Sequence, residues 1–179
     1  MVKTIGDWIS SIVIALALAL FINAFVFQRM VVAGPSMEPT LHDGENLFVQ
    51  KVVHTFAQMP DYGDVVVIDS RIHRERSVKD DLVDPIEKWL SQPEYVYVKR
   101  VIGKPGDTLE FRNGAVYRNK KLLAETYLKE QASSYEDKTV IVPEGHIFVM
   151  GDNRNNSLDS RRLGSIPLDH CLGSVLGKR

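Results

Sequence analysis

The chain has 179 residues, a 44% hydrophobic fraction and a formal net charge of −1. That is enough length for one domain with a real core, with or without an appendage, and the near-neutral charge offers no basic face for nucleic acid. The single cysteine, Cys171, excludes an intrachain disulfide and is expected as a free, buried thiol, which leaves the redox compartment open.

The first element is an apolar block. From Trp8 to Phe27 the chain reads WISSIVIALALALFINAFVF without a charged residue, close to the ~20 residues that cross a bilayer core of ~30 Å as a helix. A cleavable leader would have a shorter apolar core and a more basic flank. Here only Lys3 precedes the block, and Ile22-Asn23-Ala24 makes a poor cleavage site. A single retained transmembrane helix within residues 1–28 is expected, with the lipid bilayer as a partner. Lys3 is set against Arg29 at the two ends, so counting positive charges leaves the orientation open.

Beyond Gln28 the pattern becomes that of short strands, rich in Val, Ile, Phe and Tyr and separated by turn residues. Strands are predicted over Asn46–Val53, Asp64–Asp69, Tyr95–Ile102, Thr108–Arg112, Ala115–Arg118, Thr139–Val142 and His146–Met150. Asn113-Gly114 predicts a tight hairpin, since both residues tolerate a positive φ. Arg71–Pro93 is charged and irregular and reads as a solvated insertion, within which Lys79–Leu90 has the spacing of a short amphipathic helix. The fold class is therefore mainly β: short antiparallel strands over 29–179, with 71–93 a variable insertion and 106–142 a small sub-region, preceded by one membrane helix.

Three segments carry chemistry-bearing residues. In Gly34-Pro35-Ser36-Met37-Glu38-Pro39-Thr40 two prolines and a glycine hold one serine in a rigid turn; by itself the segment reads as a plain Pro/Ser loop. In Tyr95–Ile102 strand alternation puts Lys99 on one face with Tyr97 and Val101, and Arg100 on the other. A lysine among such neighbours loses basicity by burial, and a neutral amine can deprotonate a serine; an edge-strand lysine snorkelling to water is the competing reading. The polar run Gly151-Asp152-Asn153-Arg154-Asn155-Asn156-Ser157-Leu158-Asp159-Ser160-Arg161 has the composition of a hydrogen-bonded loop bracing a site. A fourth segment, Gly63–Val67, reads as a turn into a strand. The five histidines, His42, His54, His73, His146 and His170, show no metal-ligand spacing.

GPSMEPT, YVKRVIGKPGD and GDNRNNSLDSR in this order resemble the type I signal peptidase family, in its short Gram-positive form. The resemblance implies a signal-peptidase-type β domain in which Ser36 is the nucleophile and Lys99 the general base. Ser157 would orient the lysine amine through a hydrogen bond. Asp159 and Arg161 would form a structural ion pair beneath the site, and Asp152 and Arg154 would brace it. Some relatives place a serine two residues before the nucleophile to help bind the oxyanion. This chain has Gly34 there, so stabilisation would fall to backbone N–H groups around Gly34 and Ser36.

The implied activity is cleavage of signal peptides from exported preproteins by acyl transfer, without metal or cofactor, after small residues at the −1 and −3 positions. The resemblance also sets the orientation: a cytoplasmic N-terminus and a β domain on the outer face. Nine steps of chain from Phe27 to Ser36 reach at most ~30 Å, which keeps the chemistry near the bilayer, and Met37 is expected to contact substrate or the interface. The alternatives are another Ser/Lys protease, such as a self-cleaving repressor-type domain, and an inactive membrane-tethered binding domain.

Overall fold

A computed structural model describes residues 2–51, 58–74, 94–128, 130 and 136–178, and within the N-terminal helix the side chains of 5–19. Helix α1 (Val2–Phe25) is followed at once by strand β1 (Phe27–Val31). The remaining strands are β2 (Asn46–Gln50), β3 (Val65–Asp69), β4 (Val96–Gly103), β5 (Thr108–Arg112), β6 (Ala115–Arg118), β7 (Lys121–Leu122), β8 (Lys138–Ile141), β9 (His146–Met150), β10 (Ile166–Pro167) and β11 (Cys171–Val175). A four-residue helix α2 (Ser160–Leu163) lies between β9 and β10.

The strands form two antiparallel sheets, ordered β1-β2-β11-β3-β4-β9-β10 and β7-β6-β5-β8. The unbroken apolar run of β3 follows from its place: it is buried on both faces. Val65 and Val67 pack with Leu47, Val49 and Val175 on one side, and Val66 and Ile68 pack with Val101, Val149 and Ile166 on the other. The smaller sheet closes on the larger through Leu109, Phe111 and Val116 against Ile102, Phe148 and Met150. Asn113 and Gly114 adopt φ of 52° and 70° and close the β5–β6 hairpin with Arg112 opposite Ala115, as the dipeptide predicts.

Several expectations are corrected. The apolar block does not run as helix to Phe27; α1 ends at Phe25, and Phe27 already pairs with Gln50 in the sheet. An aromatic and β-branched run reads equally well as strand, and pairing with β2 decides it. Among the described residues no helix is long and apolar enough to cross a membrane, a statement that within α1 covers 5–19. Strand β11 was not predicted because CLGSV is short and interrupted by glycine. It nevertheless lies inside the large sheet, antiparallel to both β2 and β3. Residues 75–93 of the expected insertion, with the helical spacing of Lys79–Leu90, and Val52–Val53 lie outside the described residues.

Met37 does not face substrate or lipid. It is 1% exposed and packs among Leu41, Leu47, Val49 and Val65, because a large apolar side chain next to a polar turn gains most by entering the core. Cys171 is buried, and burial pushes its thiol up to about 12, so it is an inert packing residue.

Candidate active site

The serine loop is held by the core beneath it. Met37 and Leu41 insert as two plugs, and Leu41 N–H bonds the Met37 carbonyl at 3.0 Å. Asn153 clasps the loop from the far side: its N–H bonds the Ser36 carbonyl and its Nδ2 bonds the Pro35 carbonyl, each at 3.1 Å. The Gly34 N–H is taken by Asp43 Oδ1 at 2.8 Å, which removes it as an oxyanion donor. The Ser36 N–H has no hydrogen-bond partner among the described residues.

Lys99 rises from the middle of the large sheet, in register with Val66 of β3. The snorkelling alternative fails, since Lys99 pairs with β3 and its side chain is buried, at 2% exposed. Its Nζ donates to Ser36 Oγ at 2.8 Å and to the Val98 carbonyl at 2.9 Å, and lies 5.3 Å from the Tyr97 ring centre. Burial lowers its pKa from 10.5 to about 8, with the Arg161 cation helping and the Asp159 and Asp152 carboxylates opposing. A buried amine of this basicity, touching a hydroxyl, can act as a base near neutral pH.

Ser157 does not bond Lys99. It donates to Asp159 Oδ2 at 2.7 Å, because a carboxylate is the stronger acceptor within reach. Asp159 also accepts the Gly151 N–H at 3.0 Å and both Arg161 Nε and Nη2 at 2.8 Å. Burial raises the Asp159 carboxyl, but the Arg161 pairing and these donors outweigh it and hold its pKa below the ordinary value. Its negative charge therefore persists beneath the site and acts on Lys99 through space.

Asp152 and Arg154 are braced by partners the motif did not name. Asp152 is fully buried and forms a fork with Arg100, at 2.8 Å to Nε and 2.6 Å to Nη2, while Thr40 Oγ1 donates to the same carboxylate. Arg100 further donates to the Gly63 carbonyl at 2.8 Å and lies 4.0 Å from the Tyr127 ring centre. Arg154 bonds the Gly151 carbonyl at 3.0 Å and pairs with Glu125, which in turn accepts the Tyr127 hydroxyl at 3.0 Å. The one available sequence signal for Arg100 was its position beside Lys99 on the opposite face of the strand.

Gly151 is the point where these parts meet. A Cβ there would lie 2.3 Å from Ser157 Oγ and 2.5 Å from the Ser36 carbonyl oxygen, so any side chain displaces the serine loop. Gly151→Ala is expected to lower kcat by ~10²-fold or more, as a misplacement near 1 Å does. The melting temperature should fall less in proportion, and wild-type kcat in the variant would refute the contact.

None of the described histidines bonds Ser36. His42 and His73 are exposed, His146 Nδ1 meets the Glu144 carbonyl, and buried His170 Nε2 meets the carbonyls of Arg71 and Arg74; His54 lies outside the described residues. Among the described residues no group of three or more His, Cys, Asp or Glu is placed to hold a metal ion.

The family model "Signal peptidase, peptidase S26" matches residues 5–177. Signal peptidase I of Bacillus amyloliquefaciens is 41% identical, over 96% of this chain and 83% of its own length. Signal peptidase I T of Bacillus subtilis (strain 168) is 40% identical over the same shares. A crystal structure of a signal peptidase I from Enterococcus faecalis V583 is similar at 28% identity, over 65% of this chain and 96% of that one, with a TM-score of 0.47. With its serine, lysine and bracing loop assembled in one place, and the family model spanning nearly its whole length, the chain belongs to the signal peptidase family, peptidase S26, and is a peptidase of that family.

Proposed function

We propose that the chain is a membrane-anchored endopeptidase that removes signal peptides from exported preproteins through a Ser36/Lys99 dyad. The observation that carries this reading is the 2.8 Å contact between Ser36 Oγ and a buried Lys99 amine whose pKa is lowered to about 8. The neutral amine takes the Ser36 proton as Oγ attacks the scissile carbonyl, and the ammonium then returns that proton to the departing amine. Water, deprotonated by the same lysine, hydrolyses the ester. The unengaged Ser36 N–H is one donor for the oxyanion. Ser157, Asp159 and Arg161 hold the lysine's surroundings, and Asp152 and Arg154 hold the loop.

The substrate reading draws support from β4. Pairing with β9 begins at Arg100, so among the described residues no strand lies along the Val96–Lys99 edge on that side. An extended peptide seated there would turn alternate side chains to one face, which suits small residues at −1 and −3.

The anchor reading rests on α1, which is continuous for 24 residues, or ~36 Å at 1.5 Å per residue. Ile5, Trp8, Ile9, Ile12, Val13, Leu16 and Leu18 are all exposed around it, with no single apolar stripe. The first residues would lie in the cytoplasm and the β domain from 29 onward on the outer face. The exposed Phe27, Val31 and Phe48 of the β1–β2 edge continue this apolar surface into the sheet and take the interfacial role expected of Met37. In proteoliposomes, wild type should cut a preprotein at its signal-peptide junction and Ser36→Ala should not. Full activity in Ser36→Ala would end the dyad reading, and extraction of the full chain by alkaline carbonate would end the anchor reading.

A further inference from the structure

Beside the catalytic loop lies a cavity of about 390 Å³, within the range of small ligand sites, that the chemistry above does not use. Phe111, Val140 and Phe148 are its apolar lining, and Ser157, Arg162 and Lys138 are among its polar lining. Ser157 ties it to the dyad, since the Gly151 Cβ position that crowds Ser157 Oγ also crowds the Ser36 carbonyl.

The charges of the lining decide what fits. Arg154 and Arg161, which also line it, are neutralised by Glu125 and Asp159. Arg162 and Lys138 are exposed and make no ion pair among the described residues, against one similarly unpaired carboxylate, Glu136. A surplus of one positive charge is too little to hold an anionic bilayer, which calls for a cluster of some 4–8 basic residues. It matches a single carboxylate on a peptide.

Position supports the peptide. A substrate lying along the open Val96–Lys99 edge meets β9 and the 151–162 loop as it passes Ser36. Ser157 lines the cavity and abuts the Ser36 loop at Gly151, so a segment beyond the cleaved bond that leaves over that loop would pass the cavity. With Ser157 Oγ and the Ser36 carbonyl oxygen at 2.3 and 2.5 Å from one point, the Gly151 Cβ position, the cavity wall lies within a few extended residues of the bond at ~3.4 Å each.

We propose that this cavity is a subsite for an acidic side chain in the first residues of the mature segment, with Arg162 as the residue that selects it. The proposal rests on the peptidase reading above. It is tested with the full-length protein in a neutral detergent and preprotein peptides that differ only in carrying Asp, Ala or Lys about three residues after the junction. Wild type should cleave the Asp peptide with a kcat/KM about three- to tenfold above the Lys peptide, the scale of one partly exposed ion pair. Arg162→Glu should reverse that order, and Arg162→Gln should flatten it. An unchanged ranking in both variants overturns the subsite. So does a ranking that responds to Arg162 only when phosphatidylglycerol vesicles are added, which would assign the residue to lipid. Failure of wild type to cut any of the three peptides would instead sink the peptidase reading and the subsite with it, so the two failures are distinguishable.

Discussion

Replacing Lys99 by methionine is expected to reduce kcat/KM by ~10³-fold or more while leaving the protein at least as stable at neutral pH. The loss follows because removing a member of a unit that transfers one proton removes most of what the unit does. The stability result follows from the sign of the pKa shift. Lys99 falls from 10.5 to about 8 on folding, so between those values the unfolded chain binds more protons, and stability rises with pH through that window. Below about 8 the charged amine opposes folding in full, by roughly 3 kcal/mol for a shift of this size. Methionine carries no such penalty and fills a similar volume, at the loss of the bonds to Ser36 and Val98. In wild type, kcat/KM should rise about tenfold per pH unit up to about 8 and then level off. A plateau beginning near 10 would show an unperturbed lysine and remove its role as base.

How much of this was legible beforehand varies with the range of the interaction. Strand alternation alone separates Lys99 from Arg100, and local chemistry alone closes the Asn113-Gly114 hairpin, with strand ends within a residue or two of those observed for β3 to β6, β8 and β9. What was missed depends on partners distant in sequence. Arg100 and Asp152 are separated by 52 positions, and neither residue type announces the other. Met37 beside the serine proposed as nucleophile suggests substrate contact by its chemistry, yet the core lies directly beneath the loop. Ser157 was expected to serve the lysine, but Asp159, two residues on, is the better acceptor. Strand β11 owes its existence to neighbours on both edges rather than to its own composition.

The Arg100–Asp152 pair sets up the second large effect. Both side chains are at most 1% exposed and share a two-pronged contact, so removing either partner strands a buried charge. Asp152→Ala and Arg100→Leu should each cost about 3–5 kcal/mol in denaturant unfolding. The double variant should cost less than the sum of the two, with a coupling of ~1–3 kcal/mol, because no lone charge remains and only Thr40 and the Gly63 carbonyl lose a partner. Strict additivity would show that the pair does not act as a unit. Catalysis supplies a separate readout that general loosening would not move. The Asp152 carboxylate raises the Lys99 pKa against the larger effect of burial, so Asp152→Asn, which keeps the shape and removes the charge, lets that pKa fall further. The rising limb of kcat/KM in Asp152→Asn should shift to lower pH than in wild type, with a reduced plateau as the Thr40 end of the serine loop loosens. A limb that stays in place, or moves to higher pH, would mean that Asp152 braces the loop without acting on the lysine.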